Sequence, residues 1–94
     1  NLHPTSSEIL TLFPNPFNGM TKMTFSLNGA SNITLNVWDS SGRLINKADL
    51  GYFRAGVHQY LFSDFSSTNM SAGLYYFEIQ SKTESSIQSG ILLK

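Results

Sequence analysis

Apolar and polar residues alternate with a period of two along most of the chain. The segments 22–27 and 32–37 each place an apolar residue at every second position. Because successive side chains of a β-strand point to opposite faces, this pattern predicts strands with one buried face and one solvent face. The residues expected in the core are Phe25, Leu27, Leu35, Val37, Tyr75, Phe77 and Ile79. No segment has a convincing helical period.

The same criteria predict seven short strands. They span residues 8–13, 22–27, 32–37, 43–50, 57–62, 74–79 and 86–93. In the fifth, His58, Tyr60 and Phe62 are expected to face inward, because they carry more apolar area than Val57 and Leu61. Seven short strands at this spacing are typical of a sandwich, so the predicted fold is all-β, an immunoglobulin-like antiparallel β-sandwich.

Proline, asparagine and glycine mark the connections between these strands. The two prolines of PNP at 14–16 have no N–H to donate to a ladder, so this corner is expected to end the first strand. The Asn-Gly pair at 18–19 predicts a tight turn, and the segment 39–42 predicts a hairpin with its glycine at positive φ. Segment 51–56 is expected to be a loop, and segment 63–72 is expected to cross between the sheets.

Tyr75 follows Gly73 at the start of the sixth predicted strand. A tyrosine at this position can bury its ring and donate its hydroxyl to backbone in the preceding loop. That arrangement is the tyrosine corner of immunoglobulin-like folds, and the sequence predicts it here.

Composition narrows the classes of function. Ninety-four residues make one domain, and the lack of cysteine excludes disulfides and thiol chemistry. Six basic and six acidic residues give a net charge of zero, which does not suggest a nucleic-acid surface, and no apolar run is long enough to span a membrane. The first residue is Asn rather than Met, which suggests a fragment of a longer protein.

The chain has no recognisable catalytic or metal-binding motif. His3 lies in the N-terminal tail, and His58 is expected to be a half-buried strand residue; no nucleophile-elbow motif accompanies them. The carboxylates are scattered, and Asp39 and Asp64 sit beside turns, where capping backbone N–H groups is their ordinary role. Neither turn has the oxygen-ligand pattern of a known calcium loop. We therefore predict that the protein is not an enzyme and that it has no catalytic residue, metal or cofactor.

Aromatic residues suggest a binding module as an alternative. Trp38, Tyr52, Phe53 and Tyr76 are candidates for outward positions, and Trp38 and Tyr76 are the proposed carbohydrate contacts. Exposed rings can stack on sugar, whereas rings packed in the core or over sheet edges cannot. Packing of most of these rings is the preferred interpretation.

The order of these segments resembles a known family. PNPFN, ITLNVWDSSGRLI, AGVHQYLF, MSAGLYYFEI and a terminal ILLK follow one another, over residues 12–94, as in type A C-terminal sorting domains of the bacterial type IX secretion system. The resemblance implies an export address that trails a larger, N-terminal cargo through the outer-membrane translocon. A sortase-like protease commonly removes such a domain, and the cargo becomes secreted or attached to the cell surface. Residues 1–7 are then a linker and 8–94 the sorting domain.

The resemblance also supplies candidate recognition residues. By position they are Pro14, Asn15, Pro16, Gly42, Arg43, Gly73, Tyr75 and Lys94. Trp38 stands where the family more often has tyrosine. Similar sequences occur in immunoglobulin-like modules related to the flagellar hook-capping protein, for which sorting would not follow. The alternative, suggested by the aromatic residues, is a carbohydrate-binding or adhesive, structural accessory module of a secreted bacterial enzyme.

The last strand and its end, residues 90–94, are expected to carry export information. If this strand lies at a sheet edge, its unpaired backbone groups could be recognised by strand addition. The alternative is that Ile91 and Leu93 complete the core and that Lys94 is a solvated terminus.

Overall fold

A computed structural model describes residues 7–63 and 70–93, which contain seven strands and no helix. The strands are β1 (Glu8–Asn18), β2 (Met20–Leu27), β3 (Ser31–Asp39), β4 (Leu44–Phe53), β5 (Gly56–Ser63), β6 (Gly73–Gln80) and β7 (Ser85–Leu92). Antiparallel ladders join β1, β2 and β5 into one sheet and β4, β3, β6 and β7 into the other. The predicted all-β sandwich of about seven strands is confirmed.

Strand β1 belongs to both sheets. Its first half pairs with β2 as far as Phe13, and the ladder with β2 resumes only at Asn18, opposite Met20. Beyond the proline corner Phe17 pairs in parallel with Leu92 of β7. The peptide bonds before Pro14 and Pro16 are both cis. The prolines interrupt the ladder with β2, as predicted. The prediction that the strand ends there is wrong, because proline accommodates extended backbone at an unpaired position.

Strand β4 also runs further than predicted. It continues to Phe53 through Gly51, within the segment expected to be a loop. The ladder with β3 shifts register here, with Ile33 opposite Gly51 and Thr34 opposite Asp49. Gly51 has φ +95°, which absorbs the extra residue of this bulge. Strands β5 and β6 lie in different sheets, but residues 64–69 of the predicted crossing segment, including Asp64, lie outside the described residues.

The core lies between the two sheets and contains every residue predicted for it. The predicted set is at most 5% exposed. Phe77 packs edge-to-face on Phe17 and Phe62, with ring centroids 5.9 and 5.1 Å away. The orientation of β5 is confirmed as well, because Phe62 is buried while Val57 and Leu61 are exposed. The side chains at alternate, inward-facing positions of both sheets thus form a single core.

Gly90 of β7 packs closely against two core side chains. A Cβ there would lie 3.0 Å from Phe77 Cε1 and 3.2 Å from Leu12 Cδ1. We expect Gly90→Ala to lower the free energy of unfolding by about 1–3 kcal/mol, because neither buried side chain can move far. Gly29→Ala is the control, since nothing lies within 4 Å of its added Cβ. Urea unfolding of both variants checks this, and equal stabilities would contradict it.

Candidate recognition site at one end of the sandwich

Most residues marked by the sequence motifs meet at one end of the four-stranded sheet. Leu92 at the end of β7 pairs with Gly73 at the start of β6. In turn, Tyr75 of β6 pairs with Asp39 at the end of β3. The proline corner, the end of β7, the tyrosine corner and the β3–β4 hairpin therefore lie side by side. We call this surface, comprising Asn15, Gly42, Arg43, Gly73, Tyr75 and Leu93, the motif end.

Asn15 covers the edge of β7. Its Nδ2 donates to the carbonyl oxygen of Ser89 at 3.3 Å, and its Oδ1 accepts from the N–H of Ile91 at 3.0 Å. One step further, the N–H of Leu93 donates to the carbonyl oxygen of Phe17 at 2.7 Å. The side-chain amide offers the same donor and acceptor as a peptide group, so it replaces the backbone partner that the flanking prolines cannot supply. The end of β7 consequently lacks the free edge that strand addition requires.

The tyrosine corner forms as predicted. The Tyr75 hydroxyl donates to the carbonyl oxygen of Ser71 at 2.6 Å, and the side chain is buried. The hydrogen bond ties the segment before β6 to the core. Tyr75 and Ser71 also form one wall of a pocket of about 180 Å³. Arg43 of the hairpin and Leu74 of β6 line the same pocket.

Asp39 organises the β3–β4 hairpin. Its carboxylate accepts from the backbone N–H of Arg43 at 2.9 Å and of Ser41 at 3.0 Å, while Gly42 takes φ +88°. It also accepts from the Ser41 hydroxyl at 2.7 Å and from Arg43 Nε at 3.1 Å. The Arg43 side chain stays 79% exposed. Asp39 thus holds an exposed guanidinium in a fixed place.

The hairpin should make stability depend on pH in the acid range. Hydrogen bonds, first from the Arg43 backbone N–H and then from the Ser41 hydroxyl, lower the pKa of Asp39 from 3.8 to about 2. A depressed pKa means that the stabilisation is present above pH 3.8 and is lost as the pH falls towards 2. We expect Asp39→Asn to be less stable than wild type at pH 6, with the difference shrinking below pH 3.8. Denaturation at several pH values measures it, and a constant difference would contradict it.

A second polar cluster ties down the opposite end of the sandwich. Glu84 accepts from the backbone N–H of Ser7 at 2.7 Å and from Asn28 Nδ2 at 3.3 Å. The Ser7 N–H, aided by the Ser7 hydroxyl, lowers the pKa of Glu84. Since β1 and β7 run parallel along a body 41 Å long, Ser7 and Leu93 lie at opposite ends. Sequence reasoning missed this cluster because Ser7 and Glu84 are 77 residues apart.

A family model described as the secretion system C-terminal sorting domain matches residues 11–93. The match covers most of the chain and every described residue of the motif end. The chain belongs to this family. The sequence resemblance to sorting domains of the type IX secretion system is therefore confirmed. No curated protein matches the chain.

Solved structures share the fold of this sorting domain. Dimeric latent PorU from Porphyromonas gingivalis matches with 16% identity and a TM-score of 0.72, over 98% of this chain and 10% of PorU. PorZ, a surface component of the type IX secretion system of the same organism, matches with 14% identity and a TM-score of 0.60, over 92% and 11%. FlgD from P. aeruginosa matches with 24% identity and a TM-score of 0.61, over 95% and 69%. The chain thus spans about a tenth of PorU and of PorZ.

The aromatic candidates of the sorting domain are not in one place. Trp38 and Tyr76 are cross-strand neighbours on the outer face of the four-stranded sheet. Trp38 is half-buried and donates its Nε1–H to Glu78 at 3.3 Å, while Tyr76 is 37% exposed. Tyr52 is exposed on β4, away from that pair. The outward placement of Phe53 is wrong, because its half-buried ring packs edge-to-face on Phe25 at 5.4 Å.

The surroundings of His58 and of the carboxylates are described within residues 7–63 and 70–93. His58 is half-buried, with Nε2 2.7 Å from the carbonyl oxygen of Arg54. In that part of the chain no group of three or more His, Cys, Asp or Glu residues could hold a metal ion. It also contains no helix long and apolar enough to cross a bilayer. Lys94 lies outside the described residues, so its predicted role stays a prediction.

Proposed function

We propose that this sorting domain directs a larger exported protein across the outer membrane through the type IX secretion system, without catalysing a reaction. The family match supports the sorting role, and about a tenth of PorZ, a surface component of that system, shares this fold. The proposed partners are the outer-membrane translocon, a sortase-like protease and a cargo domain that precedes residue 7. The cargo ends outside the cell or on its surface.

The motif end is the proposed contact surface for the translocon. The main support for this proposal is that the motifs at residues 14–16, 42–43 and 73–75 meet at one end of the fold. These motifs are far apart in the sequence. Ser7 lies at the other end, beside Glu84. A cargo attached before residue 7 would therefore leave the motif end accessible to a receptor.

The chemistry of the motif end suits a protein partner. Asp39 engages only Nε of the Arg43 guanidinium among the described contacts, so the terminal amino groups can bind an acidic side chain. Leu93 of the motif end is 49% exposed, and the adjoining side chains of Leu74 and Ile91, which pair across β6 and β7, are 38% and 43% exposed. A cation beside exposed apolar side chains provides both orientation and buried area for a specific interface.

A reporter fusion tests the proposed function. A soluble fluorescent protein followed by residues 1–94 should leave cells that have the type IX system and stay in the periplasm of cells that lack its translocon. The fluorescent protein without the domain, given the same signal for entry into the periplasm, is the matched control. Equal release from both cell types would overturn the proposal.

The Trp38–Tyr76 pair supports a second candidate, carbohydrate binding after export. The hydrogen bond from Trp38 to Glu78 fixes the indole on the sheet surface, and Ile87 lies beside the pair in a concavity of about 380 Å³. A fixed ring can stack on a sugar, and a neighbouring carboxylate can accept hydrogen bonds from the hydroxyl groups of that sugar. Calorimetry against polysaccharides tests this with Trp38→Ala and, as a control, Tyr52→Ala. Binding lost only in the first favours the candidate, and no binding by wild type dismisses it.

A further inference from the structure

The sandwich is closed along one side and open along the other. Strand β1 bridges the two sheets on the closed side, whereas β4 and β5 are the outermost strands on the open side. No described strand pairs with the outer edge of either one. An outermost strand presents backbone N–H and C=O groups that can pair with another chain, and proteins usually protect such edges.

Strand β4 carries the usual protections. Its ladder with β3 shifts register near each end, once between Ile33 and Thr34 and once between Val37 and Trp38. Lys47 and Asp49 place exposed charges along it. Bulges twist an edge away from a straight partner, and charges disfavour its burial. This edge is unsuited to pairing.

Strand β5 has none of these protections. It pairs with β2 over eight consecutive residues without a register shift. The strand GVHQYLFS contains no Lys, Arg, Asp, Glu or Pro. Val57 and Leu61 point out of the sandwich and are 62% and 55% exposed. A straight, uncharged strand with exposed apolar side chains is suited to strand addition.

We propose that β5 pairs antiparallel with β5 of a second copy of this chain, about a twofold axis at Gln59. This register is self-complementary. Val57 of each copy lies opposite Leu61 of the other copy, and the two Gln59 residues lie opposite each other. The chain has a net charge of zero, so two copies do not repel each other. The two three-stranded sheets become one of six strands.

The association is expected to be weak. With the axis at Gln59, the seven residues 56–62 of each β5 are paired. They extend about 23 Å and bury much less than the roughly 1,200 Å² typical of stable interfaces. In sedimentation equilibrium, the mean mass should rise from 10.4 kDa towards twice that value between about 10 µM and about 1 mM chain. The inference concerns solution behaviour and does not depend on export.

A matched pair of substitutions tests the surface. Leu61→Lys should abolish the rise in mass, and Ile87→Lys should leave it unchanged. Ile87 is 56% exposed, about the same as Leu61 at 55%, but lies on β7 in the other sheet. Far-UV circular dichroism verifies that both variants stay folded. A wild type that stays at 10.4 kDa throughout overturns the proposal. So does an association that survives Leu61→Lys or is lost in Ile87→Lys.

Discussion

Phe77→Ala should destabilise the domain by about 3–5 kcal/mol, the usual cost of removing a fully buried phenylalanine ring. Phe77 is 0% exposed and contacts the rings of Phe17 and Phe62, which come from opposite sheets. Its loss would leave a cavity where the two sheets meet, and the sandwich cannot close it without moving both layers. For a domain of this size the expected loss is a large share of the total stability.

Phe13→Ala is the matched control for this prediction. The same ring is removed, but Phe13 is 75% exposed and adds little to the core. Urea unfolding monitored by circular dichroism gives the free energy of unfolding of both variants. A Phe77→Ala loss below about 1 kcal/mol would contradict the packing described for the core.

Removing Leu93 and Lys94 should block export of a reporter fusion while the domain stays folded. In the structure Leu93 contributes one backbone hydrogen bond, to Phe17, and its side chain is 49% exposed. Losing that bond costs about 1 kcal/mol, which a folded domain tolerates. Leu93 is part of the motif end, so the truncation changes the surface proposed to be recognised.

Folding and recognition are separated by measuring both on the same fusion. The melting temperature of the truncated fusion is compared with that of wild type, and release from the cell is measured in parallel. Leu93→Gly is a second variant that keeps the backbone N–H bonded to Phe17. Normal export of the folded, truncated fusion would contradict the role of the chain end.

The core and the tyrosine corner could be predicted because their determinants are local. A period of two identifies the buried face of each strand, and the inward set of β5 followed from apolar area alone. Tyr75 donates to Ser71 only four residues away, so sequence spacing was enough. The hairpin at Asp39 is local for the same reason.

The features that shape the candidate site are long-range and carry no local pattern. Asn15 contacts β7 across 74 and 76 residues, and its neighbouring prolines indicate only a corner. The change of sheet within β1 depends on its two neighbours in the fold, β2 in one sheet and β7 in the other. Phe53 was misplaced because a bulge in β4 and the ring of Phe25 decide its orientation. Such contacts depend on the order in which the strands pair, and the alternation of apolar and polar residues does not specify that order.

The most direct test of the motif end compares two cations at opposite ends of the domain. Arg43 is exposed at the motif end, and Lys82 is exposed in the β6–β7 turn beside Glu84. Each substitution by alanine removes one surface charge and should cost little stability. Arg43→Ala should reduce export of the reporter fusion about tenfold or more, the effect of losing one charge-assisted hydrogen bond to a partner, and Lys82→Ala should leave it unchanged. Equal export of the two folded variants would contradict recognition at the motif end.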